Sequence, residues 1–550
     1  MRIRTGKARG GGDGPERPVE TPLREPASLG GTSGSDAVLP TGSEVLAGGV
    51  WTGISRFVPQ IYTLAISIVA ARILGPSGMG RQSFIGFVEA TAIFAFTAGL
   101  PFTLSRYVAR SLGAQHPQEV RLLLRWAWRI EAVGAIIAGA TLVAVGLAGA
   151  APRSAWVLAG VAASLSILYA VPSTLLVAVR RWRQAAIIPM ATGLLSTAST
   201  VIVLVAGGGI VGMFAVEAAV AAIGLVVVIR LSRTAIQHIG HPDAPSPSLD
   251  MAAVRRYTLI VSLTSALDYV VWRRTEFYFL AHYSTSTQIA LYSIPFAAVT
   301  ALARLPDPIA RVVSPTVATL SGAGHDQRIR TGFGRGMRLL LFASLALTAG
   351  ALALGPETLK LAYGDDYRDT STVLLLLLIP FPLLPLLSLA AAVVMALGKL
   401  KINALTMLFA ALLNIGMDFV LIPQHGAIGA AIANASAQVA GSVPMIAYAV
   451  MTVGRDALRP RFVVKAIAVA SGTGVAAFAI QQSLPGAAGV TIGVVGGVLA
   501  FVVLARLFRV LPAADGVWLD ETAGRRLGGW VGRASRAWAE PQPQPQPPGR

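Results

Sequence analysis

Residues 257–308 read YTLIVSLTSALDYVVWRRTEFYFLAHYSTSTQIALYSIPFAAVTALARLPDP. Two long apolar runs flank a short polar connection at 284–288. Each run is long enough to cross a bilayer, which takes roughly 20 helical residues. The first run nonetheless carries Asp268, Arg273, Arg274 and Glu276, and the second carries Arg304 and Asp307. A charged side chain near the bilayer centre costs about 2.5–3.5 kcal/mol, so four facing lipid on one helix would cost roughly 10 kcal/mol. These charges must therefore face protein or a wet cavity.

The surrounding chain is of the same kind. Only 13% of the 550 residues are charged, against about 25% in soluble chains, and the mean hydropathy is +0.65. Fourteen apolar spans follow one another between residues 46 and 506. All have helix length and none alternates as a strand would. The expected fold class is an all-α polytopic membrane protein of about fourteen transmembrane helices. With no cysteine, and with six histidines never clustered at ligand spacing, no metal centre or thiolate chemistry is expected.

The charge pattern sets an expected orientation. Counted with the N-terminus in the cytoplasm, 36 Lys and Arg fall in inside segments, 5 in outside loops and 4 within spans, which accounts for all 45. This asymmetry places both termini in the cytoplasm of a multi-pass cell-membrane protein. It also explains most of the net charge of +19 without nucleic acid, since anionic lipids of the inner leaflet attract such segments. The outside loops are short, and neither a nucleophile–base pair nor a phosphate-binding loop is present. The chain is read as a non-enzyme without a cofactor. A membrane glycosyltransferase or polymerase would need a larger outside loop, and a silent scaffold would not carry such costly charge between its helices.

Shifting the chain by 210 residues lays ARILGPSGMGRQSFI (71–85) over AHYSTSTQIALYSIP (281–295), with Ser83 over Ser293. Spans 1–6 and 7–12 thus read as parallel halves, an arrangement that places a substrate site near the midplane between them. The expected organisation is a disordered cytoplasmic tail at 1–42, an N-lobe at 43–232, a cytoplasmic linker at 233–256 and a C-lobe at 257–453. Two additional spans occupy 454–507, and a cytoplasmic tail fills 508–550. Within that tail, 523–538 places Leu527, Trp530, Val531, Ala534 and Trp538 on one stripe beside four arginines, the pattern of an interfacial helix.

Several motifs together resemble a known family. ARILGPSGMG follows the first span; YGDDY stands at 363–367; ALGK closes a span at 396–399; Asn414 and LIPQHGAIGAAIANA (421–435) follow. These resemble the signatures of polysaccharide flippases in the multidrug/oligosaccharidyl-lipid/polysaccharide exporter superfamily, over about 44–453. The resemblance implies two six-helix lobes around a central cavity, with alternating access. It also implies transport of a lipid-linked, undecaprenyl-diphosphate-type glycan, with polysaccharide synthesis and polymerisation proteins as partners. Peptidoglycan-precursor flippases and drug/cation antiporters are the alternatives within the superfamily. Departing from the family pattern, the second half has Ala290-Leu291-Tyr292 where a Gly-x-Tyr is usual, and both tails are long. These departures leave the substrate subgroup open.

The charged residues within spans are the candidate site. Arg56, Arg273, Arg274 and Arg304 are read as binding the diphosphate, because guanidinium pairs with phosphate in a bidentate way. Against this, Arg56 could snorkel to the inner headgroups, Arg273 could pair with Glu276 three residues on, and Arg304 could sit in a frayed helix end. Asp268, Trp272 and Glu276 recur every four residues and share a face of a continuous helix. Asp268, Glu276 and Glu89 are read as coupling carboxylates that exchange protons or sodium. Glu131, which could meet Arg125 or Arg129, and Glu217 are read as structural. Asn414 shares a face with Asp418 and is read as an interhelical hydrogen-bonding group.

Overall fold

Gly75 divides the first long helix. Its backbone sits at φ +66°, a conformation that costs glycine nothing and other residues much. Pro76 follows and starts the second leg, where its missing N–H is not needed. The ARILGPSGMG signature is therefore the turn between two membrane crossings. In this computed structural model, the described residues are 42–114, 116–237, 249–272, 275–303, 317, 326–397, 399–519 and 538–539. Within the helices, the side chains of 42–57, 113, 267, 268, 270–272, 400, 518 and 519 are not among them. The proposed interfacial helix at 523–538 and the 1–42 tail lie outside the described residues, apart from Gly42 and Trp538.

Among the described residues, nine helices come first: α1 (Gly42–Thr97), α2 (Leu100–Gly113), α3 (Pro117–Leu147), α4 (Arg153–Ala178), α5 (Trp182–Val205), α6 (Gly209–Gln237), α7 (Met251–Trp272), α8 (Glu276–Tyr283) and α9 (Ser286–Ala303). Seven more follow: α10 (Asp326–Tyr363), α11 (Thr370–Leu378), α12 (Leu384–Ala396), α13 (Leu400–Val453), α14 (Pro460–Ser483), α15 (Gly486–Phe508) and α16 (Ala513–Leu519). Among the described residues, 11 helical stretches are long and apolar enough to cross a membrane. Two of these, 58–112 and 401–453, are double-length. They bend at Gly75 and at Gly426, whose φ is +54°, and so each supplies two crossings. The pair α7 and α8, with residues 273 and 274 between them outside the described residues, supplies the remaining one of the fourteen. The span at 372–396 is interrupted, where Pro380 and Pro382 divide α11 from α12 through a short 3₁₀ turn. Membrane helices tolerate such breaks when neighbours satisfy the backbone.

The helices form two lobes. In the first, α3 packs on α4, α4 on α6, and α5 on both α6 and α1. In the second, α13 packs on α7, α8, α11 and α12, and α10 carries α14 and α15. The outward faces are apolar, with Ile136 71%, Val205 74% and Leu507 72% exposed, as a lipid-facing surface requires.

The lobes meet where the second leg of α1 packs on α9. Ser83 and Ser293 share a hydrogen bond of 3.2 Å between their Oγ atoms. These two residues superpose under the 210-residue shift, so symmetry-equivalent positions touch, as they must on a pseudo-twofold axis. Near them, a Cβ on Gly80 would lie 1.6 Å from the carbonyl oxygen of Ser286. Gly80→Ala should therefore force the two helices apart and lower stability by about 1–3 kcal/mol, the range for overpacking. Thermal unfolding of the purified protein measures this, and an unchanged midpoint contradicts the packing described.

Candidate functional site

Glu276 opens α8 and is fully buried. Its Oε1 accepts hydrogen bonds from Asn414 Nδ2 at 3.1 Å and from Asn434 Nδ2 at 2.7 Å. Asn414 Nδ2 also reaches Asp418 Oδ2 at 3.3 Å and Thr275 Oγ1 at 3.2 Å. Gln438 Nε2 donates to Asn434 Oδ1 at 2.6 Å, and the Tyr292 hydroxyl faces Glu276 from α9. The two legs of α13 on either side of Gly426 therefore bring four polar side chains to one carboxylate on α8. Asp418 is also fully buried and feels the charge of Glu276. No Lys or Arg pairs with either carboxylate among the described residues. Asp418 Oδ1, Asn414 Oδ1 and Gln438 Oε1 are buried without a hydrogen-bond partner. Two apposed buried carboxylates need a compensating positive charge. An all-oxygen set of this kind suits a proton or a hard cation.

The face between the lobes runs past this cluster. The second leg of α1, continued by α2, lies antiparallel to α8 and α7 along its length. Phe87 stacks on Phe277 at 5.4 Å and Phe94 on Tyr269 at 4.2 Å. Thr91 Oγ1 and the Tyr269 hydroxyl are 2.8 Å apart, and Thr103 Oγ1 and Thr258 Oγ1 are 3.0 Å apart. Arg106 lies over the Tyr257 ring at 4.6 Å. Near Gly75 the lobes are tied by polar contacts between two of the signature motifs. Arg72 donates through Nε to the carbonyl of Ala362 at 2.7 Å and through Nη2 to that of Leu361. These carbonyls close the C-terminal end of α10, where a cation is favoured by the helix dipole. Tyr363 donates to Ser67 Oγ at 3.2 Å and Tyr367 to the Ala71 carbonyl at 3.0 Å. Burial, with Asp366 and Tyr363 beside it, pushes the Tyr367 hydroxyl above its usual range, so it stays a donor.

The architecture now on the page has solved counterparts. A lipid II flippase, MurJ, in an inward closed conformation superposes with a TM-score of 0.64 at 15% identity, covering 84% of this chain and 98% of its own. The fold is that of the MOP superfamily transporters. An inward-facing multidrug resistance MATE family transporter of that superfamily gives 0.61 at 14% identity, covering 74% of this chain and 98% of its own. A MOP superfamily transporter from Pyrococcus furiosus, whose binding pocket is described as reversed in polarity, gives 0.54 at 16% identity, covering 76% and 96%. No family model matches the sequence, and no curated protein matches it.

Within this MOP fold, the expected site residues fall as follows. Glu276 is at the centre of the polar cluster. Asn414 does bond between helices, as its family position suggested, but its partners are Glu276, Thr275 and Asp418. Glu89, on the second leg of α1, is 3% exposed and lies near enough to Glu217 on α6 to feel its charge. Glu217 is itself exposed on the surface of α6. Arg273, Arg274 and Arg304 lie outside the described residues, as do the side chains of Arg56 and Asp268. One expectation needs correction. Glu131 meets neither Arg125 nor Arg129, but accepts from the backbone N–H of Val171 at 3.1 Å, just before Pro172 in α4. The shared face expected of Asp268, Trp272 and Glu276 depends on residues 273 and 274 and on side chains that lie outside the described residues. Asn434 and Gln438 were not singled out in the sequence, although their spacing of four in an apolar helix puts them on one face.

Proposed function

We propose that this protein moves a lipid-linked glycan, carried on a polyprenyl-diphosphate type of lipid, across the cell membrane by alternating access between its two lobes. What supports this reading is where the arginines fall along the sequence. Arg56 is in the first leg of α1, Arg273 and Arg274 come in sequence between Trp272 of α7 and Glu276 of α8, and Arg304 comes in sequence after Ala303 of α9. The described parts of α7, α8 and α9, with the second leg of α1, form the face between the lobes. A diphosphate brings several oxygens to that face, and guanidinium groups can grip them two at a time. A cationic drug would meet four like charges instead. The peptidoglycan precursor carries the same diphosphate and belongs to the same substrate class. The likeness to a lipid II flippase over 84% of the chain supports a lipid-linked substrate.

In this reading, Glu276 and Asp418, steadied by Asn414 and Asn434, exchange a proton or a monovalent cation during the cycle. The clasp of Arg72, Tyr363 and Tyr367 closes the end of the cavity that the charge asymmetry assigns to the outside, so the cavity loads from the cytoplasm. The triple variant Arg56→Ala, Arg273→Ala, Arg274→Ala should insert normally and lose glycan export. Lys in their place should restore it in part, because ammonium keeps the charge and loses the fork. Export is read from the glycan intermediate accumulating inside cells, and full export by the Ala variant at normal expression sinks the proposal.

A further inference from the structure

The arginine-rich end of α10 holds a second polar site, roughly 37 Å along that helix from Tyr363 at ~1.5 Å per residue. Arg338 grips the carboxylate of Asp515 with both arms of its fork, Nε to Oδ2 at 2.6 Å and Nη2 to Oδ1 at 2.9 Å. Arg335 Nε approaches the same Oδ1 at 3.3 Å, and Arg338 Nη1 reaches the carbonyl of Ala457 at 3.4 Å. Asp515 belongs to α16, beyond the last membrane helix, and is 1% exposed. Beside this pair lies an open cavity of about 540 Å³, within the range of small-molecule sites, about 300–1,000 Å³. Arg330 and Arg455 line it as well, and both are exposed. The facing acids are Asp515 and Asp456, and Asp456 is 3.4 Å from Arg459, which is outside the lining. Four arginines thus surround a space with one carboxylate committed to it and a second drawn elsewhere.

We propose that this cavity binds a phosphate group, with Asp515 as an internal oxyanion that competes for the same arginines. The grip on Asp515 shows that the guanidinium groups are already arranged for a two-oxygen ligand. Phosphate offers the same bidentate edge with more charge. The cavity lies where α10 and α13 leave the apolar part of the bundle, beside α16, and Met451 on its rim is 66% exposed. A phospholipid headgroup could therefore enter with its chains along the helices, and basic pockets of this sort hold such headgroups. The segment around Asp515 does not depend on the ion pair alone. Leu511 donates to the carbonyl of Trp538 at 3.0 Å, Val510 and Leu511 are buried, and Trp538 packs on Phe501 at 5.9 Å.

The test uses the purified full-length protein in detergent, titrated with short-chain phosphatidic acid and followed by native mass spectrometry, with pyrophosphate as competitor. Saturable binding is expected. The double variant Arg330→Gln, Arg455→Gln should weaken it about tenfold, and Asp515→Asn should tighten it by a similar factor. Binding that pyrophosphate does not displace identifies a lipid headgroup as the source, and displacement identifies a free phosphate; either supports the site. The absence of saturable binding to both probes overturns the proposal, as does equal affinity in all three proteins. The rim arginines are exposed and unconnected to Asp515, so their variant folds and the comparison stands.

Discussion

Oxidation of a Ser83→Cys, Ser293→Cys double variant should abolish transport, and a reductant should restore it. The two hydroxyls are 3.2 Å apart, so cysteine sulfurs in their place start close to each other, and small side-chain rotations suffice to bring them to bonding distance. The chain has no cysteine of its own, so no other bridge forms within it. The bond would tie symmetry-equivalent positions of the two lobes at the point where they touch. Alternating access requires the lobes to part at one end while they close at the other, and a covalent tie there holds one state. Cross-linking is read from electrophoretic mobility and transport from the same membranes. Each single cysteine variant should transport normally with or without oxidant. A cross-linked protein that transports at the normal rate would show that the lobes do not separate at this face.

The second large effect is expected at Glu276. Glu276→Gln retains an oxygen that accepts from both Asn414 and Asn434, so folding should survive. Glu276→Ala would leave the buried Asn434 amide donor without its acceptor, at about 1–3 kcal/mol. The Gln variant removes only the charge, and with it the reason for a proton or cation to visit the site. Coupling energies between sites are typically about 1–3 kcal/mol, a factor of roughly 5–150, and transport driven by an ion gradient should fall by that order. Asp418→Asn should fall similarly, and the double variant should be little worse than either single one because the two act as a unit. Transport into vesicles with imposed sodium or proton gradients separates the two ions. A Glu276→Gln protein that keeps the full gradient response removes this cluster from the coupling.

Much of the fold was legible because hydrophobic length is a strong signal. Each of the fourteen crossings has its own apolar run, and the bends at Gly75 and Gly426 fall inside signature motifs. The 210-residue shift even paired Ser83 with Ser293, which touch. The signature around residues 71–80 can be explained physically, since Gly75 makes the turn and Gly80 lets a neighbouring backbone approach.

The polar cluster was less legible, for a reason of distance along the chain. Asn414 and Asn434 lie 138 and 158 residues from Glu276, and only the bend at Gly426 folds both legs of α13 onto α8. Local pairing rules point Glu131 toward Arg125 and Arg129, whereas its partner Val171 is 40 residues away. The same applies to Glu89 and Glu217. Sequence spacing on one helix says which residues share a face, and it says nothing about which face of another helix they meet. Asp515 illustrates this most plainly: it reads as one acid in a polar tail, yet Arg338, 177 residues away, holds it with both arms of its fork.

The most direct measurement is movement of a fluorescent polyprenyl-diphosphate-linked oligosaccharide in vesicles that contain only this protein, with a membrane-impermeant quencher reporting the exposed leaflet. The account predicts that the protein carries the lipid from one leaflet to the other, that the arginine triple variant does not, and that a cationic dye neither moves nor competes. Unaltered distribution of the glycan lipid in functional vesicles, together with expulsion of the dye, would contradict it.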